Sequence, residues 1–180
     1  AALDIAMICP LHGPVLKEDL GHYIDKYNIW SSYGVESEGV FIAYASVYGN
    51  TRKAADMLAS KLADKGVHVT VSDLARDDWA ECLEDAFRYG KLVLAAPTYN
   101  ADVFPAMKEF INHLTERNYQ NRTIGIIENG SWAPMAAKVM KGMFEKSKNI
   151  TFAENTVTVR SAVNAANEAQ IEALAEELKG

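Results

Sequence analysis

Ser46-Val47-Tyr48-Gly49-Asn50-Thr51 ends an apolar run that begins at Val40 and opens an amphipathic one, so it reads as a loop leading from a buried strand straight into a helix. Two hydroxyls and an amide flank a glycine here. Backbone N–H groups that converge at the positive end of a helix dipole can hold a dianionic phosphate without a lysine, and this loop has the residue types for it. The Gly-x-x-x-x-Gly-Lys spacing of a triphosphate loop is absent, as is the Gly-x-Gly-x-x-Gly of a dinucleotide turn. Arg52 is the adjoining cation. The competing reading is an ordinary tight turn with Asn50 as the helix N-cap.

Two further loops set one large aromatic among small polar residues. Pro97-Thr98-Tyr99-Asn100-Ala101-Asp102 follows the apolar run Leu92 to Ala96, and Asn129-Gly130-Ser131-Trp132-Ala133 follows Thr123 to Ile127. An aromatic used for packing belongs more often in a strand or on a helix face. Tyr99 and Trp132, placed in loops, suit a flat conjugated ring, with backbone groups left for its polar edge. Phosphate at one end and a planar ring between two aromatics describe FMN.

These loops need a frame that brings them to one edge. Val40 to Ser46, Val67 to Ser72, Leu92 to Ala96, Thr123 to Ile127 and Thr156 to Val159 read as strands, being β-branched or aromatic and bounded by turn signals. Amphipathic helices follow them, marked by Ala54, Ala55, Leu58 and Leu62; by Trp79, Cys82, Leu83, Ala86 and Phe87; and by Met107, Phe110, Ile111 and Leu114. Two more are marked by Ala136, Val139, Met140, Met143 and Phe144, and by Ile171, Leu174, Ala175 and Leu178. Five strands, each followed by a helix, predict an α/β three-layer sandwich around a parallel sheet. The first, third and fourth strands are almost wholly apolar and belong at the centre. The second and fifth carry His68, Thr70, Thr156 and Thr158 at alternate positions and belong at the edges. The sheet order 2-1-3-4-5 follows, with a ligand crevice beyond the carboxyl ends of the strands, between the first and third.

Residues 1–37 stand outside this alternation. Leu3 to Cys9 reads as a possible strand, Pro10 to Pro14 as a turn, and Glu18 to Trp30 as a helix with Leu20, Tyr23, Ile24, Tyr27 and Trp30 on one side. Ser31 to Gly34 and the acidic Glu36 to Glu38 read as a linker. The absence of an initiator Met suggests a processed chain or a piece of a longer one.

The chain has 180 residues, 49% of them hydrophobic, which is enough for one core without metal or disulfides. Its 18 Lys and Arg against 24 Asp and Glu give a net charge of -6, which argues against nucleic acid as a partner. No apolar run is long enough for a membrane-spanning helix, and no basic n-region marks a secretory signal. Cys9 and Cys82 stand alone, without a C-x-x-C pair, which fits a reduced cytoplasmic setting. His22, His68 and His113 share no metal-ligand spacing. Met135, Met140 and Met143 read as core filler, and the acidic run Asp77, Asp78, Glu81, Glu84 and Asp85 as a solvated helix face.

Residues 38–180 resemble flavodoxins. The match rests on Ser46-x-x-Gly49-Asn50-Thr51, with Tyr48 in place of the family's usual threonine. The resemblance implies that Ser46, Val47, Tyr48, Gly49, Asn50 and Thr51 hold the phosphate of FMN. It further implies that Pro97, Thr98, Tyr99, Asn100, Ala101, Asn129, Gly130, Ser131 and Trp132 line the flavin. More narrowly, SVYGNT, APTYNADVFPAMKEFI and ENGSWAP look like the flavodoxin module of flavodiiron proteins, and CPLHG followed by a helix with Tyr27 and Trp30 looks like the tail of their metallo-β-lactamase-like domain. His12 then resembles the last di-iron ligand, but the His-x-Glu-x-Asp-His cluster that supplies the others is missing, so no metal is expected here. The implied role is electron transfer, with a rubredoxin-type or NADH-linked donor, a di-iron site reducing oxygen or nitric oxide, and a head-to-tail homodimer of the parent. The alternatives are a free-standing flavodoxin or NAD(P)H-flavin reductase, and a flavin-free receiver-type module. A receiver needs an aspartate at the end of the third strand, where Ala95-Ala96-Pro97 stands.

Overall fold

A computed structural model describes residues 3–180; residues 1 and 2 of the amino-terminal segment lie outside the described residues. The strands are β1 (Ser37–Tyr44), β2 (Val69–Asp73), β3 (Tyr89–Tyr99), β4 (Asp102–Val103), β5 (Arg122–Asn129) and β6 (Ile150–Val159). The helices are α1 (Leu20–Ser31), α2 (Asn50–Asp64), α3 (Trp79–Arg88), α4 (Pro105–Glu116), α5 (Ala136–Met143) and α6 (Ala165–Leu178). The long strands pair in parallel in the spatial order β2-β1-β3-β5-β6, the order expected from their apolarity once the short β4 is set aside.

Strand periodicity divides the core in two. Phe41, Ala43, Leu92, Leu94, Ile124 and Ile126 point to one face and pack with α3, α4 and α5. Val40, Ile42, Val93, Ala95 and Ile127 point to the other and pack with α2 and α6. Central strands covered on both faces have no polar side, which is why their sequences do not alternate. Each fully buried leucine, isoleucine or phenylalanine contributes about 1.5–3 kcal/mol. Helix starts follow local chemistry as well: the Asp78 carboxylate accepts the Ala80 N–H at 2.7 Å, and Asn164 and Asn167 form a reciprocal capping box at α6.

The outer helices α2 and α6 are joined by an ion network. Glu172 lies 2.6 Å from both Lys61 and Lys65, and Lys65 also lies 2.7 Å from Glu176. The two lysines hold Glu172 well below its usual 4.5, at about 2. The folded value lies below the unfolded one, so the stabilisation is complete above about pH 4.5 and is lost as pH falls toward 2. Thermal melts across that window should show the unaltered chain losing Tm more steeply than Glu172→Gln, the two curves converging at the acid end. Parallel curves would show that the network contributes nothing measurable.

The amino-terminal segment corrects one expectation. Leu3 to Cys9 forms no strand; its one ladder contact is an isolated antiparallel bridge between Ile8 and Leu16, with Ile8 N–H to Leu16 O at 3.0 Å and Leu16 N–H to Ile8 O at 2.9 Å. A strand needs a neighbour along its length, and this one passes no sheet edge. Helix α1 forms as its periodicity predicts, yet it buries no residue, and Tyr23, Tyr27 and Trp30 remain exposed. Alongside the Glu36 N–H, which donates to Arg88 O at 3.0 Å, Arg122, only 3% exposed, ties the linker to the domain. Its Nη1 donates to Tyr33 O at 2.8 Å, and its Nη2 donates to Gly34 O at 2.9 Å and Phe87 O at 2.6 Å.

Candidate functional site

The loops after β1, β3 and β5 meet at the carboxyl ends of the strands, as the switch point of the sheet requires. They enclose a cavity of about 340 Å³, within the range of small-molecule sites. Ser46, Val47, Tyr48, Asn50, Thr51, Pro97, Thr98, Tyr99, Asn129, Gly130 and Ser131 line it, together with Phe104 and Ser161.

The first loop gathers unpaired hydrogen-bond donors at the start of a helix. Gly49, not Asn50, is the N-cap residue of α2, at φ 84, a left-handed conformation that glycine adopts without strain. The Ser46 hydroxyl accepts the Gly49 N–H at 3.1 Å and closes the turn, which leaves its own proton free. No side chain caps α2. Among the described residues the N–H groups of Asn50, Thr51 and Arg52 have no acceptor, while that of Lys53 bonds Gly49 O at 2.9 Å. Thr51 is 2% exposed and its hydroxyl, on the cavity wall, has no protein partner. Arg52 leans along the helix toward Asp56, 3.4 Å away, so unpaired N–H groups and hydroxyls supply the positive field. Donors grouped in this way match the chemistry of an anion such as phosphate.

The second loop is a hairpin, which the sequence reading lacked. Thr98 pairs with Val103 and Tyr99 with Asp102, across a two-residue turn with Asn100 at φ 50 and Ala101 at φ 59. Both signs are those of a type I′ turn, whose twist suits a tight hairpin, although the usual Asn-Gly or Asp-Gly signal is missing. Tyr99 stands at the mouth and meets Phe104 edge-on, ring centres 5.8 Å apart at 82°. Phe104 is the aromatic that sequence reasoning missed. Its position, immediately before Pro105 at the start of α4, was the available signal, since that context keeps a residue in the loop rather than on a helix face.

The third loop is held from beneath. The Thr98 hydroxyl accepts the N–H groups of Met135 at 2.9 Å and Ala136 at 3.2 Å, and Glu128 accepts that of Ala137 at 2.9 Å and the Thr158 hydroxyl at 2.9 Å. Strand residues thus satisfy the first two N–H groups of α5, which has no N-cap side chain of its own. A Cβ on Gly130 would lie 3.0 Å from the Pro134 Cα and 3.1 Å from the Thr98 hydroxyl, so glycine is what lets this backbone lie close.

Of the anticipated site residues, Gly49, Asn100, Ala101 and Trp132 do not line the cavity. Gly49, Asn100 and Ala101 shape turns beside it. Trp132 is 96% exposed and borders an adjoining depression with Thr98, Ala101, Gly130 and Ser131. The acidic run does lie on and before α3, remote from the cavity. His12 is exposed on the amino-terminal segment, and among the described residues no three His, Cys, Asp or Glu side chains converge as metal ligands. No helix among the described residues is long and apolar enough to cross a membrane.

Known proteins share this fold. The profile of the flavodoxin domain matches residues 41–162. Coenzyme F420H(2) oxidase of Methanothermobacter marburgensis is 32% identical over 67% of this chain and 29% of its own length. An anaerobic nitric oxide reductase flavorubredoxin of Aeromonas hydrophila is 27% identical over 72% of this chain and 26% of its own. The chain therefore spans well under half the length of these curated relatives. Among solved structures, the rubredoxin oxygen:oxidoreductase of Desulfovibrio gigas superposes with a TM-score of 0.88 at 20% identity, covering 96% of this chain and 43% of its own. A Streptococcus flavodoxin superposes at 0.66 and 26% identity, covering 77% of this chain and 96% of its own. Fold and relatives together fit the carboxyl-terminal flavodoxin-like domain of flavodiiron proteins. Because the matched span runs from β1 to the turn after β6 and takes in every loop that borders the cavity, the chain belongs to the flavodoxin domain family, whose cofactor is FMN.

Proposed function

We propose that this chain is an electron-transfer domain that holds FMN at the cavity beyond β1, β3 and β5, within an oxygen- or nitric-oxide-reducing flavodiiron protein. The observation that carries the reading is the unpaired donor set at the start of α2: Asn50 and Thr51, whose N–H groups and, for Thr51, hydroxyl find no acceptor among the described residues, both line the cavity. Ser46, Asn50 and Thr51 hold phosphate, with Gly49 shaping the turn. Thr98 directs its remaining proton toward the ring site, since both its lone pairs are engaged by α5. Tyr99 and Phe104 form one wall, and Asn129, Gly130 and Ser131 the other. When bound, FMN supplies the redox chemistry; the chain orients it and limits water around it.

The finer parts of this reading concern the parent protein. A rubredoxin-type or NADH-linked donor and a di-iron site outside this chain are its redox partners, in the cytoplasm and in a head-to-tail homodimer. Residues 1–37 are the tail of a preceding metallo-β-lactamase-like domain. Coverage supports this: flavodiiron structures cover 96 to 98% of the chain and flavodoxins 77 to 78%.

Titration with FMN tests the cofactor site directly. Flavin fluorescence should be quenched stoichiometrically and a flavin absorption spectrum should survive desalting. Loss of the spectrum on desalting, with no quenching, would sink the proposal.

A further inference from the structure

A fourth loop reaches the cavity, from the edge strand β6, and the flavin assignments above leave it without a role. The chain leaves Val159 through a three-residue turn in which Ala162 N–H donates to Arg160 O at 3.1 Å and Ser161 sits at φ 68. This is the rarer and more strained form of the γ-turn, and glycine would make it at lower cost. Serine is held there by one side chain from the neighbouring strand. Asn129, 8% exposed, accepts the Ser161 N–H on Oδ1 at 3.1 Å and donates from Nδ2 to Ser161 O at 3.0 Å. Both main-chain polar groups of Ser161 are thereby occupied. Its hydroxyl is left to face the cavity, where it meets the Ser131 hydroxyl at 2.8 Å.

Two hydroxyls that bond each other share one proton. The second proton and the remaining lone pairs are unspent, so the pair can donate and accept toward a ligand. Its position is also informative. The anion cradle follows β1, and Ser161 follows β6, three strand spacings or roughly 14 Å across the sheet. A ligand anchored by its phosphate at β1 therefore presents its far end to this pair.

We propose that Ser161, together with Ser131, recognises the polar edge of the flavin ring, whose adjacent carbonyl and N–H groups match hydroxyls able to act in either sense. This inference rests on the FMN reading and adds the β6 loop to the site. Asn129 is the positioning residue that keeps Ser161 in its strained conformation.

The test measures binding of FMN, riboflavin and N3-methylated FMN by flavin fluorescence to the unaltered chain, Ser161→Ala and Ser161→Gly. Glycine keeps the turn without a hydroxyl, so agreement of the two variants separates lost contact from lost conformation. Each variant should bind FMN about three- to tenfold more weakly, the worth of one neutral hydrogen bond. Riboflavin should lose the same factor, because it has the same ring edge and no phosphate. The preference of the unaltered chain for FMN over its N3-methylated form should shrink in both variants. Affinities within twofold of the unaltered chain, or a loss confined to FMN, would overturn the assignment. If the unaltered chain binds neither FMN nor riboflavin, the cofactor reading itself has failed and this inference falls with it.

Discussion

Thr51→Val should bind FMN roughly 10- to 100-fold more weakly than the unaltered chain and riboflavin equally well, as measured by quenching of flavin fluorescence. The side chain is almost wholly buried at the first turn of α2, so its methyl packs while its hydroxyl lines the cavity without a protein partner. Valine keeps the shape and removes the hydroxyl alone. A hydrogen bond from that hydroxyl to a doubly charged phosphate is worth roughly 1.5–3 kcal/mol, which sets the range. Riboflavin has the ring and ribityl chain but no phosphate, so it reports on packing. An equal loss with both ligands would reject the phosphate assignment. Ser46→Ala is the less selective probe, because Ser46 also closes the turn by accepting the Gly49 N–H, and its loss disturbs the loop for either ligand.

The second large effect is on stability. Arg122→Met should lower the unfolding free energy by about 3 kcal/mol and expose the linker at Tyr33 and Gly34 to proteolysis. Burial pushes the Arg122 guanidinium below its usual range, which records the cost of holding this charge away from water. That cost is offset by carbonyls: Tyr33, Gly34 and Phe87 accept from it, as do Gln120 at 3.3 Å and Asn121 at 3.0 Å. Methionine fills much of the volume and leaves those acceptors without their donor. The Arg122 Nε has no partner among the described residues, so the bonds that Arg122→Met removes are those of the two terminal nitrogens. Denaturant melts measure the first effect and limited proteolysis the second. A variant as stable as the unaltered chain, with an uncut linker, would show that α1 and the linker are held by something other than Arg122.

Much of the frame was legible in the chain. Val40 to Ala45 is apolar without alternation because β1 is buried on both faces, and the threonines of β6 alternate because it is an edge. Helix faces such as Met107, Phe110, Ile111 and Leu114 fell fully buried where their spacing put them. The three loops after the central strands converge because strand order dictates where their ends lie. Legibility failed where a residue's surroundings come from far along the chain. Leu3 to Cys9 has strand-like composition but pairs only through the isolated Ile8–Leu16 bridge. Trp132 has the character of a stacking residue, yet its ring stands outside the cavity, a matter of loop conformation rather than residue type.

By itself, the sequence determined the α/β class, the order of the five long strands and three of the four loops that border the cavity, because burial and chain reversal leave periodic, short-range marks. Tertiary structure alone decided the rest. Ser161 is placed by Asn129, 32 positions earlier, and the linker by Arg122, 88 and 89 positions later. Phe104 joins Tyr99 through a hairpin that no turn signal announced. Such contacts are set by the geometry of packed strands and by single hydrogen-bonded side chains, and neither leaves a periodic trace in composition.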